Sequence, residues 1–441
     1  METVIDITMV KKYPVYKDSG VEWIEDVPSH WEVKKFKRVF YEIKKRSNPE
    51  LNCGSISFGK VVYKDDEKIP ESTKRSYQVV QEGDFLVNPL NLNYDLISLR
   101  IALSDIDVVV SSGYIVLSNS VKLDKTFYKY FLHRFDVAFM KLLGSGVRQT
   151  LNWNDIANCD LIFPPLPEQT AIANFLDRKT ALIDQAIEIK QKQIELLKER
   201  RQILIHKAVT RGLNPNVKMK DSGVEWIGEI PEHWEVKRLK YLASYFKGNA
   251  FSSTVFSSEG IPIVKASNIK KWSIENITSF VSLDNQKRAF ENFRLIEGDI
   301  IISTVGSKPE IKESSVGQLA IVNKEYDGSY LNQNTVCIRP KKDAIDKYYL
   351  KCVFTSNYLR ANFDSISLWI ANQAYIEIDN ILQIAITAPP KYEQIAISEY
   401  IGITSTKIAT AISLKEQEIE KLKEYKATLI NSAVTGKIKF C

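Results

Sequence analysis

The segment KDSGVEWIEDVPSHWEVKKFK, which begins at Lys17, returns as KDSGVEWIGEIPEHWEVKRLK from Lys220 with 15 of 21 positions identical. A second segment, FPPLPEQTAIANFLDRKTALIDQAIEI from Phe163, returns as APPKYEQIAISEYIGITSTKIATAISL from Ala388. The two offsets are 203 and 225, and a third landmark, EGD at residues 82–84 and 297–299, is offset by 215. The whole chain is a tandem duplication, and any fold it adopts must be built twice. The second copy holds 22 more residues between its outer landmarks (225 minus 203), 12 before EGD and 10 after it. The edges of each repeat are kept, while the interior changes in length and in nearly all of its sequence. Something common is held at the edges and something different is displayed within.

Each interior reads as mixed α/β. Short apolar runs bounded by turn residues predict strands: DFLV, DVVV and YIVLS in the first, DIIIS and QLAIV in the second. FYKYFLHRFDVAFMKLLG and KYYLKCVFTSNYLRANF carry helical spacing. After each interior a PP pair opens a stretch rich in Ile, Leu, Lys, Glu and Gln, the composition of a long helix. Within it the spacing alternates between three and four: Ile183, Ile187, Lys190, Ile194, Leu197, Arg201, Leu204, Ala208. Adding 225 gives Ile408, Ile412, Lys415, Ile419, Leu422, Lys426, Leu429, Ala433, the same seam with the same two basic interruptions. Two helices with matching seams predict a coiled coil.

The expected organisation is a globular domain over residues 17–162, a helix over 163–213, a second globular domain over 220–387 and a second helix over 388–438. The link from the first helix to Lys220 is about six residues, a reach of at most about 20 Å. The second domain therefore starts at the C-terminal end of the first helix and feeds the N-terminal end of the second. Helices paired along their length must then run antiparallel, with the domains at opposite ends and an approximate twofold axis between them. Positions 183 and 208 are separated by about 38 Å of helix, close to the roughly 34–36 Å between dimeric readers of successive DNA turns.

At 441 residues there is room for two or three cores. Residues 33–160 and 236–387 each hold 19 Lys+Arg against 15 Asp+Glu, so each interior is +4 within a chain of net charge +6. No apolar run reaches the eighteen or so residues of a membrane span, and METVIDITMVKKYP lacks a signal-peptide core; the expected location is the cytoplasm. The five cysteines (Cys53, Cys159, Cys337, Cys352, Cys441) never form CxxC, which argues against a disulfide framework or a zinc site. The nearest approach to a methyltransferase [DNS]PP[YFW] loop is NPLN at residues 88–91, and no GxxxxGK[ST] loop is present. The four histidines offer no metal spacing, and His30 and His233, beside Trp31 and Trp234 in the repeated frame, read as structural. No catalytic or metal-binding residue is expected.

The repeated SGVEWIGEIPEHWEVKRLK frame, the EGD followed by an apolar strand, and FPPLPEQTAIANFLD leading into the long helix resemble the specificity subunit of type I restriction-modification enzymes. The resemblance runs over essentially the whole chain. It implies two target-recognition domains, each reading one half of a bipartite double-stranded DNA site, and helices that set the spacing and dock two modification subunits. It also implies that restriction subunits join, and that S-adenosylmethionine, ATP and Mg belong to those partners and not to this chain. A coiled-coil scaffold that binds only protein is the alternative, but it gives no reason for the interiors to diverge while their frames do not. Bases are read by Arg, Asn, Gln and similar side chains on loops placed in a groove. Polar loops at corresponding places supply the candidates: Asn91, Asn93, Arg148, Gln149 and Asn152 in the first interior, and Ser303, Lys308, Asn332, Gln333 and Gln373 in the second.

Overall fold

A computed structural model describes residues 11–439, apart from 68, 91–98, 141–150, 271, 283–287, 307–315, 358, 360–362, 364–365, 367 and 371–372. It divides into two compact units, Met1–Lys190 with Glu416–Cys441, and Gln191–Lys415. Each long helix begins in one unit and ends in the other, so neither unit is a continuous piece of chain.

In the first unit the repeated frame opens as a hairpin of β1 (Tyr16–Asp18) and β2 (Asp26–Pro28), followed by β3 (Glu32–Lys35). A four-stranded antiparallel sheet follows, from β4 (Phe40–Glu42), β5 (Phe85–Val87), β6 (Ile101–Leu103) and β7 (Ile115–Asn119), in the order β4-β7-β5-β6. Helix α1 (Lys125–Ala138), capped by the Asp124 carboxylate on the Phe127 amide, covers one face with Phe127, Tyr128, Phe131 and Phe135. The interior closes with β8 (Asp160–Phe163), which pairs antiparallel with β3, and the chain enters the 46-residue helix α2 (Leu166–Arg211).

The second unit repeats this plan. Strands β9 (Met219–Asp221) and β10 (Glu229–Pro231) form the frame hairpin, and β11 (Glu235–Arg238) follows. The sheet is built from β12 (Ala243–Lys247), β13 (Ile300–Ser303), β14 (Leu319–Ile321) and β15 (Thr335–Pro340), in the order β12-β15-β13-β14. Helix α3 (Lys347–Phe354) precedes β16 (Ala385–Ala388), which pairs with β11, and the 44-residue helix α4 (Lys391–Val434) follows. Unlike as the interiors are in sequence, they share one strand order. EGD is a turn in both: Asp84 accepts from the Gln81 amide and Asp299 from the Ile296 amide, each at 2.9 Å.

The frame explains its own repetition. The Glu168 carboxylate, in the first turn of α2, accepts from His30 Nε2 (2.6 Å), Trp31 Nε1 (3.0 Å) and the Tyr13 hydroxyl (2.6 Å). Glu393 accepts in the same way from His233 (2.6 Å) and Trp234 (3.1 Å). The neighbouring glutamines, Gln169 and Gln394, donate to Pro164 and Pro389 and accept from the amides of Asp124 and Asp346. HW at the start of each repeat and PEQ or YEQ near its end are thus two halves of one clasp. Gly212 (φ +73°) and Gly436 (φ +74°) follow the two long helices in the left-handed conformation that ends a helix. A Cβ on Gly212 would lie 3.1 Å from Trp234, and one on Gly436 would lie 2.9 Å from Trp31, so each clasp tryptophan also receives a helix end.

All sixteen seam residues are buried or half-buried. In the first unit the two helices pair antiparallel, as expected, and in the second they share one core. In the first unit Lys190 meets Glu418 at 2.5 Å and Lys426 meets Asp184 at 2.6 Å, so positions advance on one helix as they recede on the other. In the second, Ile205, Ala208 and Val209 share a core with Ile397 and Ile401. The basic seam residues of the first unit are held by acids on the facing helix, a function the sequence did not reveal. At the positions that correspond to these two acids, 225 residues away, stand Ala409 for Asp184 and Gln193 for Glu418.

Candidate DNA-reading interface

In the second unit the sheet brings together three polar stretches that are far apart in sequence. Ser303 ends β13 opposite Thr335. The Thr304 amide donates to Asn334 O, and the Ile376 amide donates to Thr304 O, both at 2.9 Å. Val305–Gly306 then pairs with Gln373–Tyr375. A fourth stretch, unforeseen from the sequence, joins them: Asn249 donates through its amide to Leu331 O and accepts from the Gln333 amide. It approaches so closely that a Cβ on Gly248 would lie 1.7 Å from Asn332 O, so only glycine fits there. The KGN sequence at residues 247–249 is the one signal that could have exposed this contact.

The first unit repeats the central joint. The Leu151 amide donates to Pro89 O at 3.1 Å, as Ile376 does to Thr304. The pairs differ by 215 and 225 residues, the offsets of the surrounding landmarks. Beside this joint the Asn88 amide donates to Arg100 O. Arg100 is anchored on fully buried Asp136 of α1, through its amide to Oδ2 at 2.6 Å and through Nε to Oδ1 at 2.8 Å. This buried ion pair fixes both ends of the chain that flanks residues 91–98. Sequence reasoning misses Arg100, because a lone arginine beside a loop carries no sign of its partner 36 residues away.

The candidate reading residues fall into three groups. Asn91, Asn93, Arg148, Gln149 and Lys308 lie outside the described residues, and of Gln373 only the strand backbone is described. Gln333 is exposed at the four-way junction. The remaining three are engaged internally. Ser303 is fully buried and donates its hydroxyl to Val305 O. Asn332 is 7 % exposed, with Oδ1 accepting from the Gln333 amide. Asn152 caps the short helix Trp153–Ala157 in a capping box with Asp155. Ser303 and Asn332 are therefore buried at the junction, with the Ser303 hydroxyl and the Asn332 Oδ1 engaged within the chain. Asn334, beside them in the chain, is exposed and held at φ +66°.

Two basic side chains of the interiors are committed within the chain. Lys45 donates to Ser112 O, while Arg339 is locked on Asp299 at 2.6 Å, a hydrogen bond that raises its pKa. The described cysteines are free: Cys53, Cys337 and Cys352 are buried and Cys159 half-buried. Burial pushes the Cys159 thiol up to about 11 and the Cys352 thiol to about 12, making both poor nucleophiles. Among the described residues no group of three or more His, Cys, Asp or Glu is placed to hold a metal ion, and no helix is long and apolar enough to cross a membrane.

Comparison with known proteins gives the same picture. The family model for the type I restriction modification DNA specificity domain matches twice, over residues 28–199 and 231–424. The type I restriction enzyme MjaVIII specificity subunit of Methanocaldococcus jannaschii is 24 % identical over 425 residues, covering 94 % of each chain. A chain from a solved structure on complex assembly and conformational transition of the type I R-M system superposes with TM-score 0.68 at 16 % identity, over 92 % of this chain and 98 % of that one. The HsdS subunit from Thermoanaerobacter tengcongensis superposes with TM-score 0.52, also at 16 % identity, over 93 % and 98 %.

Proposed function

Because the chain belongs to the family of type I restriction-modification DNA specificity subunits, we propose that its two interiors, residues 17–162 and 220–387, are separate readers of the two halves of one bipartite DNA site. The observation that supports this best is the contrast between frame and interior. The clasp, the EGD turn, the four-strand order and the central joint recur in both copies, while the segments flanking the joint share almost no sequence. Selection for a common scaffold alone would not leave the same joint carrying two unrelated sets of side chains.

On this reading Gln333 and Asn334 in the second unit, with Asn91, Asn93, Arg148, Gln149, Lys308 and Gln373, supply hydrogen-bonding edges in the major groove, and exposed lysines bind phosphate. Ser303, Asn332 and Asn152 hold backbone. The chain itself performs no chemistry. Two modification subunits, which bring S-adenosylmethionine, dock on it and methylate the site it selects, and restriction subunits using ATP and Mg complete the nuclease. The test is an exchange of residues 41–143 for the interior of a relative with a different target, followed by sequencing of methylated bases in a strain that carries the modification subunit. One half of the methylated sequence should change while the other stays. A change in both halves would refute independent readers.

A further inference from the structure

Within the first unit, helix α1, the two long helices and the tip of a hairpin enclose a cleft of about 540 Å³. The hairpin, of strands Gly54–Ser57 and Lys60–Tyr63, turns on Phe58 (φ +47°) and Gly59 (φ +73°), with Ser57 paired to Lys60. Left-handed values at both central residues make this a type I′ turn, in which asparagine, aspartate or glycine ordinarily stands first. Phenylalanine gains nothing from burial there, being 86 % exposed. Gly59 is seated against the body of the unit: a Cβ on it would lie 2.7 Å from Leu99 and 3.1 Å from His133. The turn therefore holds an aromatic ring at the rim of the cleft, in a backbone conformation that costs stability.

Positive charge in the walls exceeds negative. Lys60, Lys129, Arg134 and Lys426 line the cleft with one carboxylate, Asp184. Asp184 is taken up by Lys426, whose ammonium lies 2.6 and 2.7 Å from its two oxygens, and Lys129 lies 3.9 Å from Asp177. Lys60 and Arg134 form no ion pair among the described residues. Burial lowers the Arg134 pKa and no carboxylate opposes it. Its Nε and the Asn431 Oδ1 are buried without hydrogen-bond partners. Leu99, Val137, Ala427 and Ile430 add apolar wall. The second unit fills the corresponding place differently. Counting from the equivalent helix caps Asp124 and Asp346, Ser356 stands for Arg134 and Thr355 for His133. Ala427 corresponds to Gln202, whose Oε1 accepts from the Asn357 amide at 3.1 Å. The cationic wall thus belongs to the first copy and not to the repeated frame.

We infer that this cleft binds a free nucleoside monophosphate, its phosphate on Arg134 and Lys60 and its base against the Phe58 ring. Cations without counter-charge call for an anion, and a guanidinium beside an ammonium suits a phosphate, the first by its paired donors and the second as a point charge. The exposed ring offers a face to a planar group, and stacking on such a face tolerates any base. The volume is that of a site for a whole small organic ligand, more than an inorganic anion alone would fill. A DNA duplex keeps its bases stacked inside and would have to flip one out to offer base and phosphate together. A free nucleotide meets both walls without that cost.

The test titrates adenosine monophosphate and thymidine monophosphate into the full-length chain by isothermal calorimetry, with adenosine and inorganic phosphate as the separate halves. Both nucleotides should bind, and each half alone more weakly by about tenfold or more. Phe58→Asn places a favoured residue in the turn, so it should stabilise the chain in thermal unfolding while weakening the nucleotides by about fivefold or more, the lower end of a base-stacking contribution. A phenylalanine kept only for structure would not give opposite signs for stability and binding. Arg134→Gln combined with Lys60→Gln should weaken the nucleotides by about tenfold or more through lost charge-assisted hydrogen bonds. A wild-type chain that binds neither nucleotide, inorganic phosphate binding as tightly as the nucleotides, or affinities unchanged in both variants would each overturn the inference. Displacement of the nucleotide by a DNA duplex would give the cleft to a DNA strand and overturn it as well.

Discussion

Glu168 serves three donors at once, and its value can be weighed. Burial raises its pKa, but hydrogen bonds from Tyr13, Trp31 and His30 outweigh that and hold the carboxyl below the ordinary glutamate range. Replacing it by alanine leaves the buried Trp31 indole N–H without an acceptor and should cost the first unit about 2–4 kcal/mol. Chemical denaturation would show this, and Glu393→Ala should cost less, because Asn216 stands in the second copy where Tyr13 stands in the first. His133 on α1 gives a pH dependence of known sign. Burial, the largest cause, pulls its pKa down to about 4, so between about 6.5 and 4 the unfolded chain binds a proton that the folded chain refuses. Its contribution to stability is complete above that window and is lost as pH falls through it. Unfolding of the first unit monitored from pH 7 to pH 4 should be steeper in the wild type than in His133→Gln. At this scale the sequence was least informative about function. That Ser303 and Asn332 are polar was plain from the letters, but that they are buried beneath the junction depends on strands 30 or more residues away.

The long helices were the most legible elements, because a three-four alternation sustained over 25 residues specifies both secondary structure and the buried face. The two basic interruptions were legible as positions but not as partners, since Lys190 to Glu418 and Lys426 to Asp184 each span more than 220 residues. If the helices act as a ruler, one matched heptad inserted after Ile194 and after Ile419 keeps the seam in register and adds about 10 Å to each helix. The spacer between the two methylated half-sites should then grow by about three base pairs, given about 3.4 Å per pair. Three pairs also turn one half-site by more than a quarter of a revolution, so weaker binding is expected alongside the longer spacer. A variant that still methylates the original spacer would show that helix length does not set the distance.

For the whole molecule, the duplication predicts that the chain's end and beginning are equivalent to the link between its repeats. In the first unit the Lys439 amide donates to Lys11 O at 2.8 Å, the Tyr16 hydroxyl to Gly436 O at 3.1 Å and Lys437 to Glu25 at 2.8 Å. In the second unit the corresponding place is the continuous run from Gly212 to β9, whose residues 213–216 are exposed or nearly so. A permuted chain opened within residues 214–219, with the old ends joined, should therefore fold and support methylation of the original site. Sedimentation and methylated-base sequencing would check it, and loss of folding in the permuted chain alone would mean that the two links are not interchangeable.

By itself the sequence determined the duplication, the two long helices with their buried rows, the mixed α/β character of the interiors and the family. Each of these is written in periodicity or repetition, which needs no knowledge of distant neighbours. Only the tertiary structure decided that HW and EQ form one clasp, that two unlike interiors share one strand order, that Arg100 rests on Asp136, and that Gly248 admits the backbone of Asn332. Those facts depend on which residues meet across gaps of tens to hundreds of positions. A sheet makes such contacts through backbone groups that every residue carries, so the letters leave no trace of them until the strands are laid side by side.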